Sequence, residues 1–92
     1  MITMNDPQHQ IRSCSVSVYG MRLDYILHET RIHEEERKSY SISVHKQTPA
    51  SCEDAFAPDI SSIRSRAVDL FNLIVSGTVT PCTLLEVLED LL

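Results

Sequence analysis

The sequence is poor in several residue types on which common functional motifs depend. Its 92 residues include two glycines, three cysteines and no tryptophan. With so few glycines, the chain contains no glycine-rich phosphate loop and no fibrous repeat. Cys14, Cys52 and Cys82 are odd in number and form no C-x-x-C pair. We therefore expect reduced thiols that pack within the fold, with no zinc or redox role.

The sequence also lacks a long apolar run and a basic cluster. No stretch reaches the roughly 18 apolar residues that a bilayer-spanning helix needs, and no secretory signal pattern opens the chain, so a cytoplasmic protein is expected. The formal charge is −5, with two basic and seven acidic side chains in residues 47–92. A phosphate backbone requires a basic face, so direct nucleic-acid binding is not expected.

What the sequence does contain is two kinds of hydrophobic period. From Ser13 to Val18, and again from Tyr40 to Val44, apolar and polar residues alternate as they do in half-buried strands. The alternation changes parity at Gly20, which predicts a β-bulge there; the alternative is a tight turn at Tyr19-Gly20 that begins another strand. The charged segment between the alternating runs is expected to be a solvated loop with a helical turn at Glu34–Arg37.

The second half of the chain has a helical period. Asp59, Ser61 and Ser62 are candidate N-cap residues, and Gly77 stands where a left-handed C-cap residue is expected. Thr80 and Pro81 then suit the start of a second helix, which would run to the C-terminus. Its leucines share one flank, opposite an acidic flank.

These patterns predict an α+β fold with a small antiparallel sheet of two to three strands packed against a C-terminal αα-hairpin. Residues 1–12 are expected to form a flexible leader, and residues 13–92 a single domain. Within it, residues 13–58 would supply the sheet and residues 59–92 the helical hairpin. Residues 47–59, with two prolines and no period, are interpreted as a connector with at most a short edge strand near Ala55–Ala57.

Several short motifs together resemble a family of short, uncharacterised Firmicutes proteins that carries a domain-of-unknown-function label. The matching residues are Tyr19-Gly20, Asp59-Ile60-Ser61, Pro81, Glu89-Asp90 and Leu92. The sequence departs from that pattern after the proline, at Cys82-Thr83-Leu84, and in the connector. The resemblance implies a small α+β fold and supplies no activity.

No residue pattern indicates catalysis or a cofactor, so no catalytic, cofactor-binding or metal-binding residue is assigned. The four histidines, His9, His28, His33 and His45, lack metal-ligand spacing and are expected to be exposed. A Cys52–His45 nucleophile pair has no local signal of activation.

The leading hypothesis is therefore a non-enzymatic protein–protein interaction module of unknown role and unknown partner, with a homodimer as one form of it. It would act through its apolar helical face or an exposed sheet edge. The alternative is an acidic inhibitor of a nucleic-acid-processing complex, encoded by a phage or mobile element and similar in kind to an anti-CRISPR. The candidate partner-binding residues are Glu34, Glu35, Glu36, Glu86, Glu89 and Asp90. The candidate core or dimer face consists of Leu84, Leu85, Leu88, Leu91 and Leu92.

Overall fold

The computed structural model describes residues 8–32 and 37–92. Four strands are followed by two helices, in the order β1 (Gln8–Val18), β2 (Met21–Ile32), β3 (Arg37–Gln47), β4 (Cys52–Ser61), α1 (Arg64–Ser76) and α2 (Leu84–Leu91). A single 3₁₀ turn, Pro81–Thr83, leads into α2. The strands form one antiparallel sheet in sequence order, β1-β2-β3-β4.

The expected sheet of two to three strands is therefore wrong, although the α+β class stands. The extra strands come from two segments that we interpreted differently. β1 and β2 are separate strands, and the presumed connector contributes most of the ten residues of β4. The connector has no clear period by itself and is held by its backbone pairing with β3, a contact that the local pattern does not encode.

The predicted bulge at Gly20 is also wrong, and the alternative of a tight turn is correct. Val18 pairs with Met21, and the two residues between them have positive φ angles, 48° at Tyr19 and 79° at Gly20. Positive φ at both central positions is the signature of a type I′ hairpin turn, whose twist matches that of the flanking strands. The parity change in the sequence therefore marks a reversal of the chain.

The core lies between one face of the sheet and the two helices. The central strands supply fully buried side chains such as Leu23, Tyr25 and Ile42, and α1 contributes Leu70 and Ile74. The opposite face of the sheet carries Ser15, Asp24 and His45 and is covered by neither helix.

The hairpin of helices follows the prediction in outline and differs at its caps. Ile63 is the N-cap of α1 and makes no side-chain cap hydrogen bond, while Asp59 and Ser61, the expected caps, belong to β4. At the other end of α1, the backbone of Gly77 has a right-handed helical conformation, and Thr78 adopts the left-handed conformation with a φ of 52°. Two bonds, from Thr78 N–H to the Val75 carbonyl and from Val79 N–H to the Ile74 carbonyl, form a Schellman motif one residue later than expected.

Pro81 occupies the first position of the 3₁₀ turn, as predicted. Among the described residues, neither helix has the length and hydrophobicity that a membrane span requires. The predicted helical turn at Glu34–Arg37 lies largely outside the described residues, but Arg37 itself begins β3. Of the expected leader, residues 1–7 also lie outside the described residues, and residues 8–12 belong to β1.

Candidate protein-binding surface

An apolar surface lies where the edge strand β4 meets α2. It surrounds a hollow of about 160 Å³ whose lining includes Pro58, Ile60, Leu85 and Leu92. Leu85 is 57% exposed and Leu92 is 61% exposed, whereas Leu88 at the base is only 2% exposed. We call the set Pro58, Ile60, Leu85 and Leu92 the leucine patch.

An irregularity in β4 creates this hollow. Ala57 and Ser61 pair with Ile42 and Tyr40, so three residues of β4, Pro58–Ile60, lie opposite the single Ser41 of β3. The bulged segment turns through Asp59, which has a φ of 50°. Extra residues in an edge strand re-aim side chains and end regular pairing, and here the two extra residues place Pro58 and Ile60 next to α2.

Two serines of β3 hold the bulge in place. The Ser39 hydroxyl donates a 2.8 Å hydrogen bond to Asp59 Oδ1, and the Asp59 N–H donates to Ser41 Oγ at 3.4 Å. Both serines are buried, so these bonds satisfy groups that would otherwise be costly to bury. The bulge is therefore a defined feature of the fold.

The rim of the leucine patch is acidic. Asp59 and Glu89 belong to the lining of the hollow, and Glu86 and Asp90 are exposed on the same helix as Glu89. An apolar centre with a charged rim is the usual organisation of a protein-binding site. This surface is suited to an apolar side chain flanked by cations.

The structure divides the predicted leucine face into two parts. Leu84 and Leu88 are buried in the core, Leu91 is half-buried, and Leu85 and Leu92 are exposed. Three of the predicted partner-binding acids, Glu86, Glu89 and Asp90, lie exposed on α2. The other three, Glu34, Glu35 and Glu36, lie outside the described residues.

A row of polar side chains crosses the uncovered face of the sheet. Ser15, Asp24, His45 and Asp54 stand in register on the four strands. Ser15 donates a hydrogen bond to Asp24, which Arg22 also contacts at 3.1 Å, and these contacts hold the pKa of Asp24 below its usual value. His45 Nδ1 contacts the Asp54 carboxylate. The row thus consists of pairs that satisfy one another.

Beside this row, His28 is half-buried rather than exposed as predicted, while His33 lies outside the described residues. The Nε2 of His28 lies 3.0 Å from Ser43 Oγ, and its ring centroid lies 6.1 Å from that of Phe56. Burial lowers the pKa of His28, because the charged imidazolium loses hydration. In the described part of the chain, no three His, Cys, Asp or Glu side chains are grouped as metal ligands.

The cysteines differ from the expected packing thiols. All three are free; Cys14 is half-buried, but Cys52 and Cys82 are exposed. Cys52 lies opposite Gln47, while His45 lies opposite Asp54. Cys52 and His45 thus pair with different residues across the β3–β4 ladder, and the described hydrogen bond of His45 goes to Asp54 and not to Cys52.

Sequence reasoning missed a charged cluster around Glu29 at one end of the sheet. Glu29 accepts a 2.8 Å hydrogen bond from the Tyr40 phenol, and Lys38 Nζ and Arg64 Nη1 each lie 3.8 Å from its oxygens. The hydrogen bond from Tyr40, assisted by the two cations, lowers the pKa of Glu29. Because Arg64 opens α1, the cluster ties the start of that helix to β2 and β3.

The residues of the β4 bulge were also missed by sequence reasoning. Pro58 and Asp59 were interpreted as part of a connector and a helix cap, since prolines without a period favour a loop. Residues 52–58 give no alternation signal, since Glu53 shares a strand face with Ala55 and Ala57 while Phe56 shares the other face with Asp54.

Comparisons with known proteins give one match. No curated protein and no solved structure matches the chain. The model of a family of unknown function, DUF6514, matches residues 4–92. The chain therefore belongs to this uncharacterised family, DUF6514.

Proposed function

We propose that the protein is a non-enzymatic protein–protein interaction module that binds its partner through the leucine patch. The observation that carries this proposal is the exposure of Leu85 and Leu92 around a hollow whose base, Leu88, is buried in the core. Exposed apolar side chains that cluster beside a preformed hollow are a feature of binding sites, whereas single exposed leucines need no explanation.

Two clusters of described titratable groups support binding rather than chemistry. Glu29 is paired with Tyr40, and His45 is paired with Asp54. A catalytic base acts on a nucleophile that lies within hydrogen-bonding reach and beside a space for substrate. Glu29 is instead held by the buried phenol of Tyr40, and His45 by the carboxylate of Asp54.

The acidic rim indicates the chemistry of the partner. A segment with an apolar side chain flanked by lysine or arginine would fill the hollow and meet Asp59 and Glu89. Charged rims mainly accelerate association and make it sensitive to salt. We place this interaction in the cytoplasm of a Firmicutes host, the origin that the family resemblance implies.

The experiment is affinity capture from such a host with matched variants. The double variant L85S/L92S removes the exposed leucines and leaves Leu88 in the core. L73S is the control, because Leu73 is 51% exposed on α1 and lies outside the patch. We expect a partner that co-purifies with the native chain and with L73S but not with L85S/L92S. Retention of the same partner by L85S/L92S would contradict the proposal.

A second candidate function is supported by the stripe of Glu86, Glu89 and Asp90 on α2, all of which are exposed. An acidic inhibitor of a nucleic-acid-processing complex, carried by a phage or mobile element, would present such carboxylates to lysines and arginines that otherwise contact phosphates. Reversal of all three charges to lysine should then slow association with the complex, and added salt should slow the native chain in the same way. Unchanged association of the triple variant would rule this function out.

A further inference from the structure

Among the described residues, no strand pairs with the outer edge of β1. β1 is the first strand in the order β1-β2-β3-β4 and is 11 residues long. It contains no proline, and Arg12 is its one lysine, arginine or acidic residue. Edge strands of soluble proteins are usually short or protected by prolines, charges or bulges. The register shift near Ile11 protects one end of β1, but its regular part from Arg12 to Val18 has no such protection.

The outward-facing hydrogen-bonding groups of β1 can be identified from the hairpin. A two-residue turn closes on a hydrogen-bonded pair, here Val18 and Met21, and such pairs alternate along an antiparallel ladder. Cys14, Val16 and Val18 therefore bond to β2. The N–H and C=O groups of Ser13, Ser15 and Ser17 point away from the sheet.

The core is incompletely covered along this edge. Leu23 and Tyr25 on β2 are fully buried, yet their partners Val16 and Cys14 on β1 are only half-buried. A groove of about 390 Å³ lies between β1 and α1, lined in part by Cys14 and Val75. The apolar layer thus continues to an edge at which nothing in the described chain covers it.

We propose that β1 pairs with β1 of a second copy of this chain, antiparallel and with the two-fold axis at Ser15. This pairing places Ser13 opposite Ser17 of the partner subunit and Cys14 opposite Val16 of the partner subunit. Serine then meets serine on the uncovered face, and apolar side chains meet on the helix face, which is the favourable arrangement of cross-strand neighbours. The three outward serines form about six backbone hydrogen bonds with the partner subunit.

Charge also favours β1 over the other edge. In this register the two Arg12 side chains lie about 20 Å apart, well beyond the Debye length at physiological salt. β4 carries the exposed acids Glu53 and Asp54, contains Pro58 and is interrupted by its bulge. Self-pairing of β4 would lose backbone bonds and bring carboxylates together.

This dimer rests on the proposed interaction function and names one partner for it, a second copy of the chain. The dimer surface lies at the β1 edge of the sheet, opposite the edge that carries the leucine patch. Each proposal can therefore be contradicted without contradicting the other. L85S/L92S should lose the captured partner and remain dimeric, and a variant of β1 should lose the dimer and keep the leucine patch.

The test is sedimentation equilibrium of the full chain from low to high micromolar concentration. S15P removes an outward N–H in each copy without removing a bond to β2, and it should weaken dimerisation roughly thirtyfold or more. S15A is the control: it loses the hydrogen bond to Asp24 but keeps the backbone N–H, so it should dimerise like the native chain.

A second measurement does not depend on the folding of S15P. In S15C, the two copies of position 15 would face each other as a hydrogen-bonded pair with Cα atoms about 5.5 Å apart, a separation that a disulfide spans. Mild oxidation followed by peptide mapping should find a disulfide between the two introduced thiols in preference to links through the exposed Cys52 or Cys82. A native chain that stays monomeric, an S15P dimer of native affinity, or links mainly through Cys52 would each overturn the proposal.

Discussion

The phenol of Tyr40 donates a 2.8 Å hydrogen bond to the carboxylate of Glu29, so a buried ring on β3 is joined to a charge on β2. The bond shifts the pKa of both groups. It lowers the pKa of Glu29, and burial together with the same bond raises the pKa of Tyr40. Folding therefore favours ionised Glu29 and neutral Tyr40, and stability depends on pH at both extremes.

The first prediction concerns this bond at acid pH. Because folding lowers the pKa of Glu29, its contribution is present above the unfolded pKa and is lost as pH falls through the folded pKa. Tyr40→Phe should lower the free energy of unfolding by about 1.5–3 kcal/mol near neutrality, the usual contribution of a hydrogen bond to a charged group. The cost should shrink as Glu29 becomes protonated. Urea unfolding of the native chain and of Tyr40→Phe at a series of pH values measures this difference in the free energy of unfolding.

The matched control is Tyr25→Phe. The Tyr25 phenol donates a 3.0 Å bond to the uncharged carbonyl of Val79, so its removal should cost about 0.5–1.5 kcal/mol and the cost should not vary between acid and neutral pH. If the two variants showed the same pH dependence, Glu29 would not be the source of the effect.

The second prediction concerns His28. Burial lowers its pKa, so the neutral imidazole is favoured by folding; its contribution is complete above the unfolded pKa of about 6.5 and is lost as pH falls through the lower folded value. The native chain should therefore lose stability below about pH 6.5, and His28→Gln should reduce that loss. Titration of the imidazole by NMR should give a pKa below the unfolded value, and an unshifted titration would contradict the prediction.

The third prediction concerns the β1–β2 turn. Tyr19 is fully exposed and adopts a positive φ that suits asparagine far better. Tyr19→Asn should therefore raise the free energy of unfolding by about 0.5–1 kcal/mol. Gly20→Ala should lower it by at least as much, because φ at Gly20 is 79° even though no atom lies within 4 Å of an added Cβ. Thermal unfolding of both variants measures these changes in stability. A Gly20→Ala variant as stable as the native chain would show that the turn is not type I′.

The fourth prediction separates the two sets of leucines on α2. Leu88→Ala should destabilise the fold by about 2–5 kcal/mol, as expected for a buried leucine. Leu85→Ala should change stability by no more than about 0.5 kcal/mol, since the side chain is mainly exposed. Chemical unfolding compares them directly, and similar losses for both would place Leu85 in the core.

Local patterning was a good guide to the helices and to much of the strand content. The period of residues 64–76 and the proline after Thr80 place α1 and the turn into α2 within a few residues of their observed bounds. Alternation likewise indicated strand structure in the central parts of β1, β2 and β3, although it favoured one bulged strand where β1 and β2 are separate. These signals are readable because each reports which face of an element is apolar, a property of neighbouring residues alone.

The candidate site was less accessible to sequence reasoning. Of the three acids of α2 that the sequence singles out, Glu89 lines the hollow of the leucine patch, while Glu86 and Asp90 are exposed elsewhere on the helix. Pro58 and Ile60 were not singled out, because their role depends on three residues of β4 facing one residue of β3. A bulge of this kind is specified by the partner strand, here through Ser39 and Ser41.

By itself, the sequence determined that this is an α+β chain with a two-faced helical pair at its end, since amphipathic periods and turn residues act over a few neighbouring positions. Only the tertiary structure decided that residues 52–61 form a strand and which leucines of α2 are buried. A strand without a strong alternation forms where a neighbouring strand satisfies its backbone hydrogen bonds. Which leucines of an amphipathic helix become buried is set by the surface against which the helix packs. Both depend on contacts between residues that are distant in the chain.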